Sequence, residues 1–262
     1  MWATSISLAT KSLAPPPEKW HGLSDPEQRY RRRYVDMYAN PESAKVFAMR
    51  SRLISRIRRF MDARGFLEVE TPVLQPIAGG AAARPFTTHH NTLDMPLFMR
   101  IAPELYLKRC LVGGMGKVYE INRNFRNEGI DRSHNPEFTA MEVYQAFGDY
   151  GTMMEPTESL VNNIAVSMVA EREAAGLRVN ADGPVLPWGE MEINYAMPFV
   201  RVKFEELFRR GVGVNMRDFA AVRAKARAIG MHHEAKLDDW LVVNKLFEEL
   251  AEPLIDPLRP TF

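Results

Sequence analysis

The stretch Tyr119-Glu-Ile-Asn-Arg-Asn-Phe-Arg-Asn-Glu-Gly129, continued by Ser133-His-Asn-Pro-Glu-Phe138 and Met141-Glu-Val-Tyr144, decides the fold. Lys117–Asn122 alternates between apolar and polar residues, as a half-buried strand does. Arg126–Asn135 holds too many charges and turn formers for a core element and reads as a loop. Phe138–Phe147 is the strand that returns from it. On that strand Glu142 and Tyr144 stand two apart and face the same way. A carboxylate and a phenol on one face can bind an ammonium group. Arg126 can fork onto a phosphate or carboxylate, His134 can approach a polyphosphate, and Phe138 offers a flat face to a base. Any one of these residues could equally belong to an exposed, salt-bridged hairpin; taken jointly they point to a site.

Upstream, Asn40 is placed to cap a helix with Pro41 at its first position. Val46, Met49, Leu53, Ile57 and Phe60 then recur at the helical period until Gly65. Phe66–Thr71 alternates as a strand that Pro72 ends or puts at an edge. Ala78–Ala83 is a small-residue loop, Leu97–Ile101 a strand, and Pro103 opens a helix. Downstream, helices fit 152–175, Phe204–Arg209, Phe219–Ile229 and Leu237–Leu250, with a turn at Ala181-Asp-Gly-Pro184. Hairpin-joined strands flanked by helices predict an α+β domain on an antiparallel sheet. No internal repeat is present. Residues 1–28 differ in kind: a short strand-like piece, Thr4–Leu8, precedes the stiff Ala14-Pro-Pro-Pro17.

The chain has 262 residues, of which 46% are apolar and 26% charged, ordinary values for a globular protein. Its 34 Lys and Arg against 33 Asp and Glu give no global basic field that would require a nucleic acid. Basic residues concentrate in Arg29–Arg33 and Arg50–Arg64 and acidic ones in Glu234–Glu252, which read as solvated faces. The single cysteine, Cys110, excludes a disulfide framework and paired-cysteine zinc sites, and its apolar neighbours make it a small core residue. No apolar run is long enough to span a membrane and no secretory signal opens the chain, so a cytoplasmic location is expected.

The quoted segment resembles motif 2 of the class II aminoacyl-tRNA synthetases, and in Phe125-Arg-Asn-Glu128 and Arg132-Ser-His-Asn-Pro-Glu-Phe138 it resembles the lysyl-tRNA synthetases in particular. Gly65-Phe-Leu-Glu-Val-Glu-Thr-Pro-Val-Leu74 is similar to motif 1, the dimer-interface helix and strand. Gly79-Gly-Ala-Ala-Ala-Arg-Pro-Phe86, Arg100-Ile-Ala-Pro-Glu-Leu-Tyr-Leu-Lys108, Thr10–Leu13 and Pro17–Leu23 fit the same family. The likeness covers essentially the whole chain and is weakest over 175–235.

That resemblance implies formation of lysyl-adenylate from ATP and lysine, then transfer of lysine to tRNA(Lys). It implies that Arg126 holds the α-phosphate and the amino-acid carboxylate, that Glu128 and Phe138 hold and stack the adenine, and that His134 lies toward the outer phosphates. Gly80 and Glu104 would frame the α-ammonium group of lysine, and Glu142 and Tyr144 would bind its ε-ammonium. It further implies a homodimer through residues 42–74 and a division into 1–28, the link from an anticodon-binding barrel, and 29–262, part of a catalytic domain. Motif 3 and the acidic segment expected to supply Mg2+ ligands are not found before Phe262, so impaired activity is expected of these 262 residues. Gly211-Val-Gly-Val-Asn-Met-Arg217 mimics the spacing of motif 3 but lacks its acidic and apolar surroundings. His232-His-Glu234 lacks a third metal ligand at helical spacing. No phosphate-binding glycine loop of P-loop or Rossmann type is present. The competing readings are a translation-factor lysyltransferase related to these enzymes, an aspartyl or asparaginyl enzyme, and a non-catalytic dimerisation or ligand-binding module. Gly-Gly-Ala-x-Ala-Arg-Pro-Phe argues against the first, and a Glu142–Tyr144 pair suited to a cation argues against the second.

Overall fold

A computed structural model describes residues 3–11, 13–18, 22–131, 133–231 and 236–262, and the chain forms two compact units, Met1–Arg64 and Gly65–Phe262. The first unit is helical: α1 (Pro26–Arg31), α2 (Arg33–Ala39) and α3 (Pro41–Ala63). Asp25 caps α1 by accepting from the Gln28 N–H at 2.7 Å. The basic run Arg29–Arg33 is not merely a solvated face. Its Arg29 and Arg33 converge on the fully buried Asp36 at 2.7 and 2.6 Å. Asn40 stands at the N-cap of α3 as expected, yet its side chain makes no cap bond. It donates instead to the Leu23 carbonyl (2.9 Å) and to Asp36 (2.7 Å), because a buried carboxylate needs hydrogen bonds more than a helix end open to water does. Those donors, Asn40 first, hold the Asp36 carboxyl far below the usual carboxylate range against the opposing effect of burial. Helix α3 ends just before Gly65, which has φ +75°. Thr4–Leu8 forms no strand, having no partner among the described residues to complete a ladder.

The second unit begins with β1 (Leu67–Glu68), β2 (Leu74–Gln75), β3 (Thr87–His90) and β4 (Met95–Met99), followed by α4 (Glu104–Val112). The long hairpin is β5 (Lys117–Phe125) and β6 (Glu137–Gln145). Its nine residue pairs run from Lys117↔Gln145 to Phe125↔Glu137. Strand β1 joins the other edge of β5 in parallel, so that sheet is mixed, while β2-β4-β3 is antiparallel. Only two residues of the expected strand Phe66–Thr71 are paired, because Thr71 turns its backbone and hydroxyl to a buried side chain of β5 and Pro72 has no N–H to give. Cys110 is half-buried rather than in the core; Leu107 carries the inward face of α4.

Helix α5 (Tyr150–Ala174) opens with a capping box between Asp149 and Thr152. A hairpin of β7 (Val185–Trp188) and β8 (Met191–Asn194) follows, then α6 (Phe204–Val212), α7 (Phe219–Ala228) and α8 (Asp239–Leu246). The last helix widens into a π-helical turn, Phe247–Ala251. Phe208, Val212, Val222, Ala226, Val242 and Leu246 pack into one core, with Phe204 stacked on Phe247 at 4.0 Å. The α+β class is as predicted, with the strands divided among three small sheets rather than gathered into one.

Candidate active site

Directly opposed residues of an antiparallel pair point to the same face. The register Val118↔Tyr144, Glu120↔Glu142, Asn122↔Ala140 and Asn124↔Phe138 therefore puts Glu120, Phe138, Glu142 and Tyr144 on one face of the hairpin. With a rise of about 3.3 Å per residue, Phe138 and Glu142 stand about 13 Å apart along β6. A bound molecule can thus be held at both ends of the strand.

At one end lies a cavity of about 670 Å³ lined by Arg126, Glu128, Gly129, Ile130, Asp131, Ser133, His134, Asn135 and Phe138, within the range of small-ligand pockets. The Arg126 guanidinium sits 5.1 Å from the centroid of the Phe138 ring, and its buried Nε has no hydrogen-bond acceptor among the described residues. Such a donor is expensive to leave unsatisfied, and an anion in the cavity would relieve it. The loop is anchored at both ends. The Arg126 N–H donates to the Pro136 carbonyl (2.8 Å), the Asn127 N–H donates to the Arg84 carbonyl (2.7 Å), and Glu128 accepts from the Arg84 N–H (3.3 Å). His134 Nδ1 lies 2.7 Å from Asp131. The Ser133 N–H and the His134 imidazole hold the Asp131 carboxyl well below its ordinary range. Arg132 lies outside the described residues, as do Ser12, residues 19–21 and His232-His-Glu234.

At the other end Tyr144 donates to Glu142 at 3.0 Å. Burial, above all, pushes the Glu142 carboxyl up, and the negative charges of Glu104 and Glu120 add to this. The Tyr144 hydrogen bond and the positive charge of Arg100 oppose it. Burial and Glu142 together push the Tyr144 phenol far above its usual value, so it stays a neutral donor. Glu104 opens α4 and pairs with Lys108 at 2.6 Å. Gly80, at φ +89°, packs so closely there that a Cβ would lie 2.9 Å from Glu104 Cβ and 3.2 Å from Ala102 Cβ. The expected residues therefore form two clusters on one hairpin and its neighbouring helix: Arg126, Glu128, His134 and Phe138 in one, and Gly80, Glu104, Glu142 and Tyr144 in the other.

Sequence reasoning assigned no role to Arg100, Glu120 or Thr71. Arg100 Nη1 and Glu120 form an ion pair at 2.6 Å with side chains 0% and 1% exposed. The Thr71 hydroxyl donates to the same carboxylate at 2.6 Å. The signal available was a charged residue inside each of two apolar strand runs, a placement that demands a buried partner. Of the decoys, Gly211 lies inside α6, where a Cβ would come 2.4 Å from the Leu250 carbonyl oxygen, so helix packing accounts for it. Among the described residues no group of three His, Cys, Asp or Glu side chains is placed to hold a metal ion. The donor set for the implied Mg2+ is thus not assembled from them, and no chemical step is assigned to it.

This hairpin, whose loop begins at Arg126 and whose returning strand carries the Phe138 ring and the half-buried Glu142 carboxylate, defines a class. The profile of the class II tRNA synthetases (D, K and N) matches residues 25–239, and the chain belongs to that family. Within it, the chain is similar to lysine–tRNA ligases. That of Carboxydothermus hydrogenoformans is 50% identical over 268 residues, covering 100% of this chain and 51% of that protein. That of Pseudomonas aeruginosa is 50% identical over 95% of this chain and 48% of its own length, and that of Escherichia coli K12 is 46% identical over 99% and 49%. The chain spans about half the length of the curated relatives it matches.

Proposed function

We propose that this chain carries the amino-acid activation site of a lysine–tRNA ligase. The observation that carries the reading is the Glu142–Tyr144 pair, hydrogen-bonded at 3.0 Å on the face that also bears Phe138. A half-buried carboxylate pushed toward its neutral form, with a phenol beside it, is relieved by a cation and not by an anion. It thus favours lysine over aspartate or asparagine. Glu104 and Gly80 frame the α-ammonium group. Adenine stacks on Phe138 and contacts Glu128, and His134 faces the outer phosphates. Arg126 draws the lysine carboxylate and the ATP α-phosphate together.

A carboxylate oxygen of lysine attacks the α-phosphorus, the bond to the β-phosphate oxygen breaks, and pyrophosphate leaves. The 3′-terminal ribose hydroxyl of tRNA(Lys) then attacks the carbonyl carbon and AMP departs. Positioning and charge neutralisation, more than covalent help, drive such a step, which is why one well-placed arginine matters. A homodimer through residues 42–74 belongs to the same reading. It is supported by exposed Val46, Phe47 and Met49 on α3 and by exposed Leu67 and Leu74.

Isothermal calorimetry of this chain with L-lysine, L-aspartate and L-asparagine tests the reading. Saturable binding of lysine alone is expected. Equal binding of all three, or of none, would overturn the assignment.

A further inference from the structure

Arg100 follows β4 immediately and is fully buried. Two segments hold it, residues 71–73 between β1 and β2 and strand β5. Its own N–H donates to the Val73 carbonyl (2.8 Å) and its carbonyl accepts from the Phe125 N–H (2.9 Å), so its backbone bridges the segment after β1 and the end of β5. Its Nε donates to the Arg123 carbonyl at 2.8 Å. Its Nη1 reaches Glu120 at 2.6 Å, the Thr71 hydroxyl at 3.2 Å and the Thr71 carbonyl at 3.3 Å. The remaining nitrogen, Nη2, is buried and has no hydrogen-bond partner among the described residues. An arginine left one donor short is a strained choice for a purely structural strut.

The location supplies a reason. Glu120, to which the guanidinium is locked, stands directly opposite Glu142 in the hairpin register and on the same face. The carboxylates of Glu104 and Glu120 both lie near enough to Glu142 for their charges to push its carboxyl up. Glu142 feels the negative charges of Glu104 from α4 and Glu120 from β5, the hydrogen bond from the neutral Tyr144 on its own strand, and the positive charge of Arg100. Lys108, one turn further along α4, is paired with Glu104.

We propose that Arg100 is a positioning residue of the cation site: its guanidinium, clamped between Thr71, Glu120 and the Arg123 carbonyl, keeps a fixed positive charge near Glu142. The inference rests on the lysine-site reading given above. Paired with Glu120, the guanidinium contributes no net charge that would repel an incoming ammonium from a distance. Close to Glu142 it offsets the two carboxylates that would otherwise drive a proton onto that residue. It thereby limits the rise that burial and those carboxylates impose on Glu142 and favours the ionised form that an ammonium requires. A lysine in the place of Arg100 would bring a similar charge without the planar fork that fixes it.

The experiment is a pH titration of the Glu142 side-chain carboxyl by carbon-13 NMR, in protein labelled at glutamate and without ligand, assigned with Glu142→Gln. It compares wild type, Glu120→Gln, and Arg100→Gln/Glu120→Gln. With residue 120 uncharged in both variants, their difference isolates the guanidinium charge. The Glu142 midpoint is expected to fall in Glu120→Gln and to rise by about one pH unit when Arg100→Gln is added. Equal midpoints in the two variants would overturn the proposal. Either variant that is unfolded in buffer, by circular dichroism, is titrated in sucrose, which favours the compact state and does not itself titrate. Lysine calorimetry on wild type is read separately. If wild type binds no lysine and the midpoints still separate as stated, the ligand assignment fails while the role of Arg100 toward Glu142 stands.

Discussion

Glu142 combines two demands that oppose each other. Burial and the neighbouring carboxylates push its proton affinity up, whereas binding an ammonium requires it ionised. Glu142→Gln is expected to weaken lysine binding by about 1.5–3 kcal/mol, the range for a lost charge-assisted hydrogen bond, as read by calorimetry at pH 7. Unchanged affinity would remove Glu142 from the site. The same substitution has the opposite effect on the empty protein. A carboxyl with a raised pKa in the folded state contributes stability that is complete below its unfolded value and is lost as pH rises through the folded value. Glu142→Gln is therefore expected to raise the melting temperature of the ligand-free chain at neutral pH, with the gain vanishing below about pH 4, under the ordinary glutamate pKa. Lysine affinity should in turn decline as pH falls through the raised Glu142 value, above the usual carboxylate range.

The cluster proposed to bind ammonium groups is packed against α4 through a glycine. Gly80 lies where any side chain would press on Glu104 Cβ at 2.9 Å, and it holds a backbone conformation that L-residues rarely adopt. Gly80→Ala is expected to destabilise the chain by about 1–3 kcal/mol and, by displacing Glu104, to weaken lysine binding at least about tenfold. Thermal melts and calorimetry on the same sample separate the two effects; full retention of both would refute the close approach. The elements that periodicity and caps announce are where they were expected: the long helix before Gly65, the helix opened by Pro103, and the hairpin around Arg126–Asn135. The pairs β3–β4 and β7–β8 escaped notice. Thr87–His90 has four exposed residues and hence no alternation to see, and Val185–Trp188 is short and broken by Pro187.

For the molecule as a whole, assembly is the next question. Val46, Phe47 and Met49 are 56%, 41% and 40% exposed on a helix whose other exposed residues are charged or small, a pattern that an isologous two-fold contact would bury. Sedimentation at micromolar concentration is expected to show a dimer that Val46→Glu/Met49→Glu converts to monomer. A wild-type monomer would count against the interface.

Local patterns were enough to tell which residues stand on the hairpin and which of them share a face, because strand alternation has a period of two and a charged loop is read from contiguous residues. The sequence also determined the family, through motifs contiguous along the chain. It could not show that Asn40 and two arginines serve the buried Asp36, that Gly80 packs on Glu104, or that Arg100 reaches Glu120 and Thr71. Those are decisions of tertiary structure. A buried charge takes whichever partner the packing brings within hydrogen-bond distance, and Thr71, Arg100 and Glu120 lie on three separate segments that only the folded sheets bring together.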